Sequence, residues 1–96
     1  NQLNIGNLIY GTGLNGTGAT VSTGNVGIGT TAPTTKLDVN GMIKTAGYTV
    51  ATLPTGVTGA RAYVTDATSP TYLGALTGGG AVTVPVFYNG TAWVSD

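Results

Sequence analysis

The chain has 96 residues, 41% of them hydrophobic and only 6% charged, with no Cys, no His and a formal net charge of zero. An ordinary soluble domain carries about 25% charge, so the side chains of acid–base, thiol and metal chemistry are scarce or missing. The balance excludes a basic nucleic-acid surface, a cationic membrane-surface helix and a disulfide framework, and no apolar run approaches the roughly 18 residues of a membrane-spanning helix.

This length makes one domain or two very small ones. A domain of this size buries only about 60–70% of its unfolded surface. With neither Cys nor His to staple it, the remaining route to stability is a core shared between copies. The chain opens on Asn1 rather than Met, with no signal-like segment, and is expected to be a piece of a longer protein.

Period-two alternation of apolar and polar residues dominates, which predicts strands throughout and no helix. Leu3-Asn4-Ile5 and Asn7-Leu8-Ile9-Tyr10 open the chain, followed by a glycine-rich stretch to Gly18. Short strands are predicted at Ala19-Thr20-Val21 and Asn25-Val26-Gly27-Ile28-Gly29, then from Lys36 to Lys44 and over Tyr48-Thr49-Val50-Ala51. None could bury much alone. That suits chains winding around one another, and residues 1–52 are read as one unit. If Val26 and Ile28 face a common axis, Gly27 and Gly29 leave bare backbone on the other side. In a lone chain such an edge invites uncontrolled pairing; closure by identical copies would cover it.

Residues 53–96 read as a second, more globular unit. Ala60 to Thr65 is a predicted strand, and Asp66 to Gly80 is a long polar excursion ending in Gly78-Gly79-Gly80. Val82 to Tyr88 and Thr91 to Val94 flank Asn89-Gly90, the sequence of a two-residue hairpin turn with φ > 0 at both positions. That turn would put Tyr88 opposite Thr91, with Trp93 diagonal on the Tyr88 face. Pro85 lacks a ladder donor and is expected on an edge or at a bulge.

Several motifs weaken on inspection. Gly11-Thr12-Gly13-Leu14-Asn15-Gly16 matches G-x-G-x-x-G, but no helix opens after it and no suitable acid follows, so it reads as a turn. Asp38, Asp66 and Asp96 are the only carboxylates. Glycosidic chemistry needs a pair about 5–9.5 Å apart, whereas Asp66 reads as a strand end that caps a turn or pairs with Arg61. Asp38-Val39-Asn40-Gly41 offers too few ligands for calcium. No catalytic residue, cofactor or metal is expected.

Loops on rigid scaffolds carry recognition, and the Asp66–Gly80 excursion presents Thr68, Ser69, Thr71 and Tyr72. These are the candidate receptor contacts, against a plain surface connection. Tyr88 and Trp93 either fill the core or offer rings on which a sugar could stack.

Gly24-Asn25-Val26-Gly27-Ile28-Gly29-Thr30-Thr31-Ala32-Pro33, followed by Lys36-Leu37-Asp38-Val39-Asn40-Gly41, resembles a stretch common in the stems of bacteriophage tail fibres and tailspikes. Leu53-Pro54, then Gly59 to Ala67, Gly78-Gly79-Gly80 and Val84 to Trp93, look like the C-terminal tip of many phage structural proteins. The two segments cover most of the chain. Residues 1–96 themselves hold no self-cleaving chaperone domain, which one common pattern places after the tip. The resemblance implies an all-β, elongated, intertwined homotrimeric fibre segment: a stem at 1–52 and a small hairpin-containing knob at 53–96. It further implies a location on the virion and attachment to a host surface glycan or protein receptor, without nucleic acid or membrane insertion. A purely structural trimerisation or capsid-decoration module is the rival. A depolymerase is disfavoured by the shortage of carboxylates.

Overall fold

The computed structural model describes Asn1–Asp96. The protein is all-β, with eight strands, no α-helix and a single 3-10 turn at Val50–Thr52. It divides into two compact units, Asn1–Ile43 and Lys44–Asp96, each with its own sheet. The division falls after Ile43, earlier than the expected boundary at residue 52. Residues 47–48 explain the difference: they pair with Tyr63 and Val64 of the second sheet.

The first unit holds β1 (Leu3–Ile5), β2 (Ile9–Gly11), β3 (Val26–Ile28) and β4 (Leu37–Val39), paired in chain order. The predicted strand at Ala19–Val21 is absent; only a Thr17–Thr20 bridge forms there. The β1–β2 hairpin turns on Gly6 and Asn7, at φ 57° and 55°, with the Leu8 amide donating to Ile5 O at 2.9 Å. Asn tolerates this left-handed region better than most residues. Here the Asn4 carboxamide also accepts the Asn7 amide at 2.8 Å. Between β2 and β3 an irregular loop is closed by Asn15, whose carboxamide both accepts from Thr23 N and donates to Thr23 Oγ1.

β3 and β4 run parallel through the connection Gly29–Lys36, shorter than the dozen or so residues such a crossover usually takes. Local side chains make that possible. Asp38 accepts from the Thr34 amide at 3.0 Å, and Lys36 Nζ donates to the Thr23 and Gly24 carbonyls. Thr30 and Pro33 fold over Gly27, where a Cβ would lie 2.5 Å from Thr30 O. Gly27 is therefore buried by its own chain; its backbone is not the surface left bare, contrary to expectation.

Register sorts the side chains of this sheet onto two faces. Asn4, Tyr10, Gly27 and Asp38 line up across the strands on one face. On the other run two apolar rows, Leu3–Gly11–Val26–Leu37 and Ile5–Ile9–Ile28–Val39. Leu14 reaches the place of the side chain missing at Gly11: a Cβ there would meet its Cδ2 at 3.6 Å. No apolar side chain in this unit is buried.

The second sheet is β5 (Gly47–Tyr48), β6 (Arg61–Ala67), β7 (Val82–Tyr88) and β8 (Trp93–Ser95), also in chain order. Ala62, Val64, Ala67 and Val86 form its core, with Tyr48, Val50, Leu53, Leu76, Val84 and Trp93 packed around them. The β6–β7 register shifts between Val64 and Ala67, so that Thr65 and Asp66 together face Thr83. This bulge reverses the alternation and turns Ala67 inward. β6 thus continues past the expected break at Thr65. Asp66 Oδ1 accepts the Val50 amide at 2.8 Å and holds the 3-10 turn against the strand.

Pro85 sits on an interior strand, opposite Tyr63, rather than on an edge. Its carbonyl accepts the Asp96 amide at 2.9 Å. N–H and C=O of one strand residue point the same way, so the missing donor falls on the β8 side and no bond to β6 is lost. The β7–β8 hairpin also differs from the two-residue turn. Its closing pair is Tyr88–Trp93, and only Gly90 of the two turn residues has positive φ. Asn89 Oδ1 accepts both the Thr91 and Ala92 amides at 2.9 Å. That side-chain cap makes the longer loop Asn89–Ala92 stable.

Arg61 pairs with Asp96, not Asp66, and lies over the Phe87 ring. The Arg61 side chain is 56% exposed. Arg61→Ala is therefore expected to cost under about 1 kcal/mol, a loss that shrinks in 1 M salt, as read from urea midpoints at two ionic strengths.

Candidate functional site

The polar loop leaves β6 after Ala67 and is closed at its neck. The Thr68 amide donates to Thr77 O at 2.8 Å, the Gly80 amide to Asp66 O at 2.9 Å, and Thr68 Oγ1 to Gly78 O at 3.1 Å. Glycine is needed at 80, where a Cβ would lie 2.3 Å from Ala67 O. Beyond the neck the loop runs beside β8. The Leu73 amide donates to Ser95 O and the Ser95 amide to Gly74 O, while Ala75 bridges Val94. The loop thus covers the free edge of β8, a position that otherwise invites pairing with another chain.

Its tip is held in an unusual backbone. Ser69 has φ 45° and Leu73 φ 58°, and a bulky residue in the left-handed region is uncommon. The strain at Leu73 is offset by its bond to Ser95 and by the turn that the Gly74 amide makes to Thr71 O. Between these points Tyr72 projects with 77% of its surface exposed, beside Leu73 at 49%. Thr68, Ser69 and Thr71 are exposed as well. The sequence reading missed Leu73; no local signal marks an apolar residue for left-handed geometry.

Tyr88 and Trp93 stand differently. They face each other across the hairpin, ring centroids 5.6 Å apart and planes at 75°. Trp93 Nε1 donates to Pro54 O at 2.9 Å, and Tyr88 Oη to Thr91 O at 3.0 Å. Gly56 lies against the Tyr88 ring, where a Cβ would fall 1.9 Å from Cδ1. Both rings are half-buried, and Trp93 packs on the core. The six sequence-derived residues therefore differ in setting: Thr68, Ser69, Thr71 and Tyr72 are exposed on the loop, whereas Tyr88 and Trp93 are half-buried in the hairpin. Thr68, at the neck beside Val82, lies about 20 Å along β7 from Tyr88, while the tip at Tyr72 adjoins Ser95, which pairs with Val86.

The three carboxylates are engaged separately: Asp38 with Thr34, Asp66 with Val50, Asp96 with Arg61. No group of potential metal ligands clusters, and neither unit holds a pocket. What the arrangement offers chemically is a neutral, exposed tip of hydroxyls with one phenol ring beside the Leu73 side chain. Comparisons with protein-family models, with curated proteins and with solved structures give no match.

Proposed function

We propose that the chain is a non-enzymatic component of a virion fibre, the trimeric tip of a phage tail or related fibre, which attaches to a host surface glycan or protein. The observation that supports this most is the Ser69–Leu73 tip, with Tyr72 held out from a loop hydrogen-bonded to β8. Tyrosine gives a large, rigid, amphipathic contact at low entropic cost, and neighbouring hydroxyls supply adaptable hydrogen bonds. A single tip this small binds weakly. Three copies on one fibre raise the effective concentration and supply avidity.

Tyr72→Ala tests the assignment, because an exposed side chain can be removed with a stability change within about 0.5 kcal/mol. If Tyr72 is a central contact, its loss weakens binding about 30-fold, read by sedimentation with intact bacterial cells and on immobilised surface polysaccharides. Binding that survives both Tyr72→Ala and Thr71→Ala moves the contact elsewhere. Reducing ends released from the polysaccharide would restore the depolymerase reading.

The purely structural reading has its own support in the uncovered apolar rows of the first sheet. It predicts a fibre that loses its assembly, not its adsorption, when this region is deleted.

A further inference from the structure

We infer that the apolar face of the first sheet is the surface on which copies of this chain meet. The inference rests on the oligomeric part of the reading above and adds to it the residues that join the copies.

The two apolar rows lie side by side across all four strands. Leu3, Ile5, Val26, Ile28 and Leu37 are exposed by 41%, 54%, 40%, 38% and 58%. With Leu14 and the half-buried Ile9 and Val39 the face shows on the order of 500 Å² of side-chain surface, toward the upper end of the largest apolar patch on a typical monomer, and two such faces together bury about 1,000 Å², the smallest total of a specific interface.

Three observations choose a further copy as the occupant. The buried apolar side chains of the chain, Ala62, Val64, Ala67, Val86 and Val94, all belong to the second unit. The first unit has no core of its own, and a fold of about 40 residues without staples usually needs association. Its cover must therefore be present whenever the chain folds. A second copy meets that condition, and a host molecule does not. The face is also free of charge. Lys36 is tied to the Thr23 and Gly24 carbonyls, and Asp38 lies on the opposite face. Identical faces can meet without burying an ion or opposing like charges. Lastly, the opposite face is finished: the Thr30–Pro33 turn covers Gly27, and Tyr10 Oη bonds Gln2 at 2.7 Å.

Ile9 and Ile28 are directly paired at the middle of the face. The Ile9→Ser/Ile28→Ser double variant is expected to weaken assembly roughly 100-fold, about tenfold per buried branched side chain, as measured by sedimentation equilibrium. The chain contains no Cys, so single thiols give a second measurement that does not depend on a damaged face. In the Ile28→Cys variant a spin label should be immobilised and show label-to-label coupling, and mild oxidation should link copies. In the Asn4→Cys variant, on the polar face, the label should stay mobile and the copies unlinked. An assembled chain in which the Ile28→Cys label is mobile, or which keeps its mass in the double-serine variant, overturns the inference and leaves the oligomeric reading standing. An Ile28→Cys label shielded by a lipid or an unrelated protein, with one chain per particle, also overturns it. A folded, monomeric unaltered chain overturns the oligomeric reading itself.

Discussion

Trp93→Ala is expected to remove most of the stability of the second unit. The indole packs on a core of only a few small residues, stands edge-to-face with Tyr88, and bonds Pro54 O. Truncating a fully buried aromatic costs about 3–5 kcal/mol, and the half-buried Trp93 belongs at the low end of that range. A unit of this size has roughly 3–8 kcal/mol in total. Urea unfolding followed by circular dichroism should show the second-unit transition lowered to the point of partial unfolding in water. Trp93→Phe keeps the ring against the core and loses only the Pro54 bond, about 1 kcal/mol. The pair of variants also separates two roles. A Trp93→Ala protein that melts like its parent but no longer binds cells would make the indole a receptor contact rather than a packing element.

In the first unit the largest single effect is expected from Gly24→Ala. A Cβ at Gly24 would lie 1.4 Å from Thr12 O and 2.8 Å from Gly13 Cα. Both are backbone atoms, so no rotamer change relieves the clash. The Thr12 and Asn25 backbones must separate, which breaks the Thr12 amide bond to Asn25 O and the Asn25 amide bond to Thr12 Oγ1. The cost is about 3 kcal/mol or more. Hydrogen exchange should accelerate at Thr12, Val26 and Gly29, whose amides are bonded across these strands. Gly6→Ala is the contrast. It meets open space at φ 57°, so it pays only the left-handed penalty of about 1–2 kcal/mol.

The strands were legible where side chains alternate over a run long enough to pack. Leu3–Ile5 and Val82–Tyr88 match the expected bounds, and the strands around Val26 and Leu37 lie within theirs. Alternation also placed Val26 and Ile28 together on one face. What was not legible depends on partners distant in sequence. The bulge at Thr65 and Asp66 is set by Thr83 across the sheet, and the Arg61 ion pair by a residue at position 96. Tyr48 was assigned to the wrong side of the division because only its pairing with Val64 shows where it belongs. Turn chemistry misled in one place and was overlooked in another. Asn89-Gly90 has the composition of a primed turn but is capped by its own Asn89 side chain, while Gly6-Asn7 has both residues at positive φ.

The candidate site was legible as a loop but not as a geometry. Hydroxyls and Tyr72 between two strands marked the segment. The strain at Ser69 and Leu73 and the docking on Ser95 arise from tertiary contacts. The aromatic pair shows the opposite case: composition left Tyr88 and Trp93 open between core and platform, and Gly56 and Pro54, far away in sequence, hold both rings half-buried in the hairpin.

We propose a first sheet that is complete only when other copies cover it. Light scattering coupled to size exclusion, on the unaltered chain at micromolar concentration, tests this most directly. The expected mass is three times the 9.5 kDa of one chain. A particle of one chain's mass, with both sheets protected from hydrogen exchange, would contradict it.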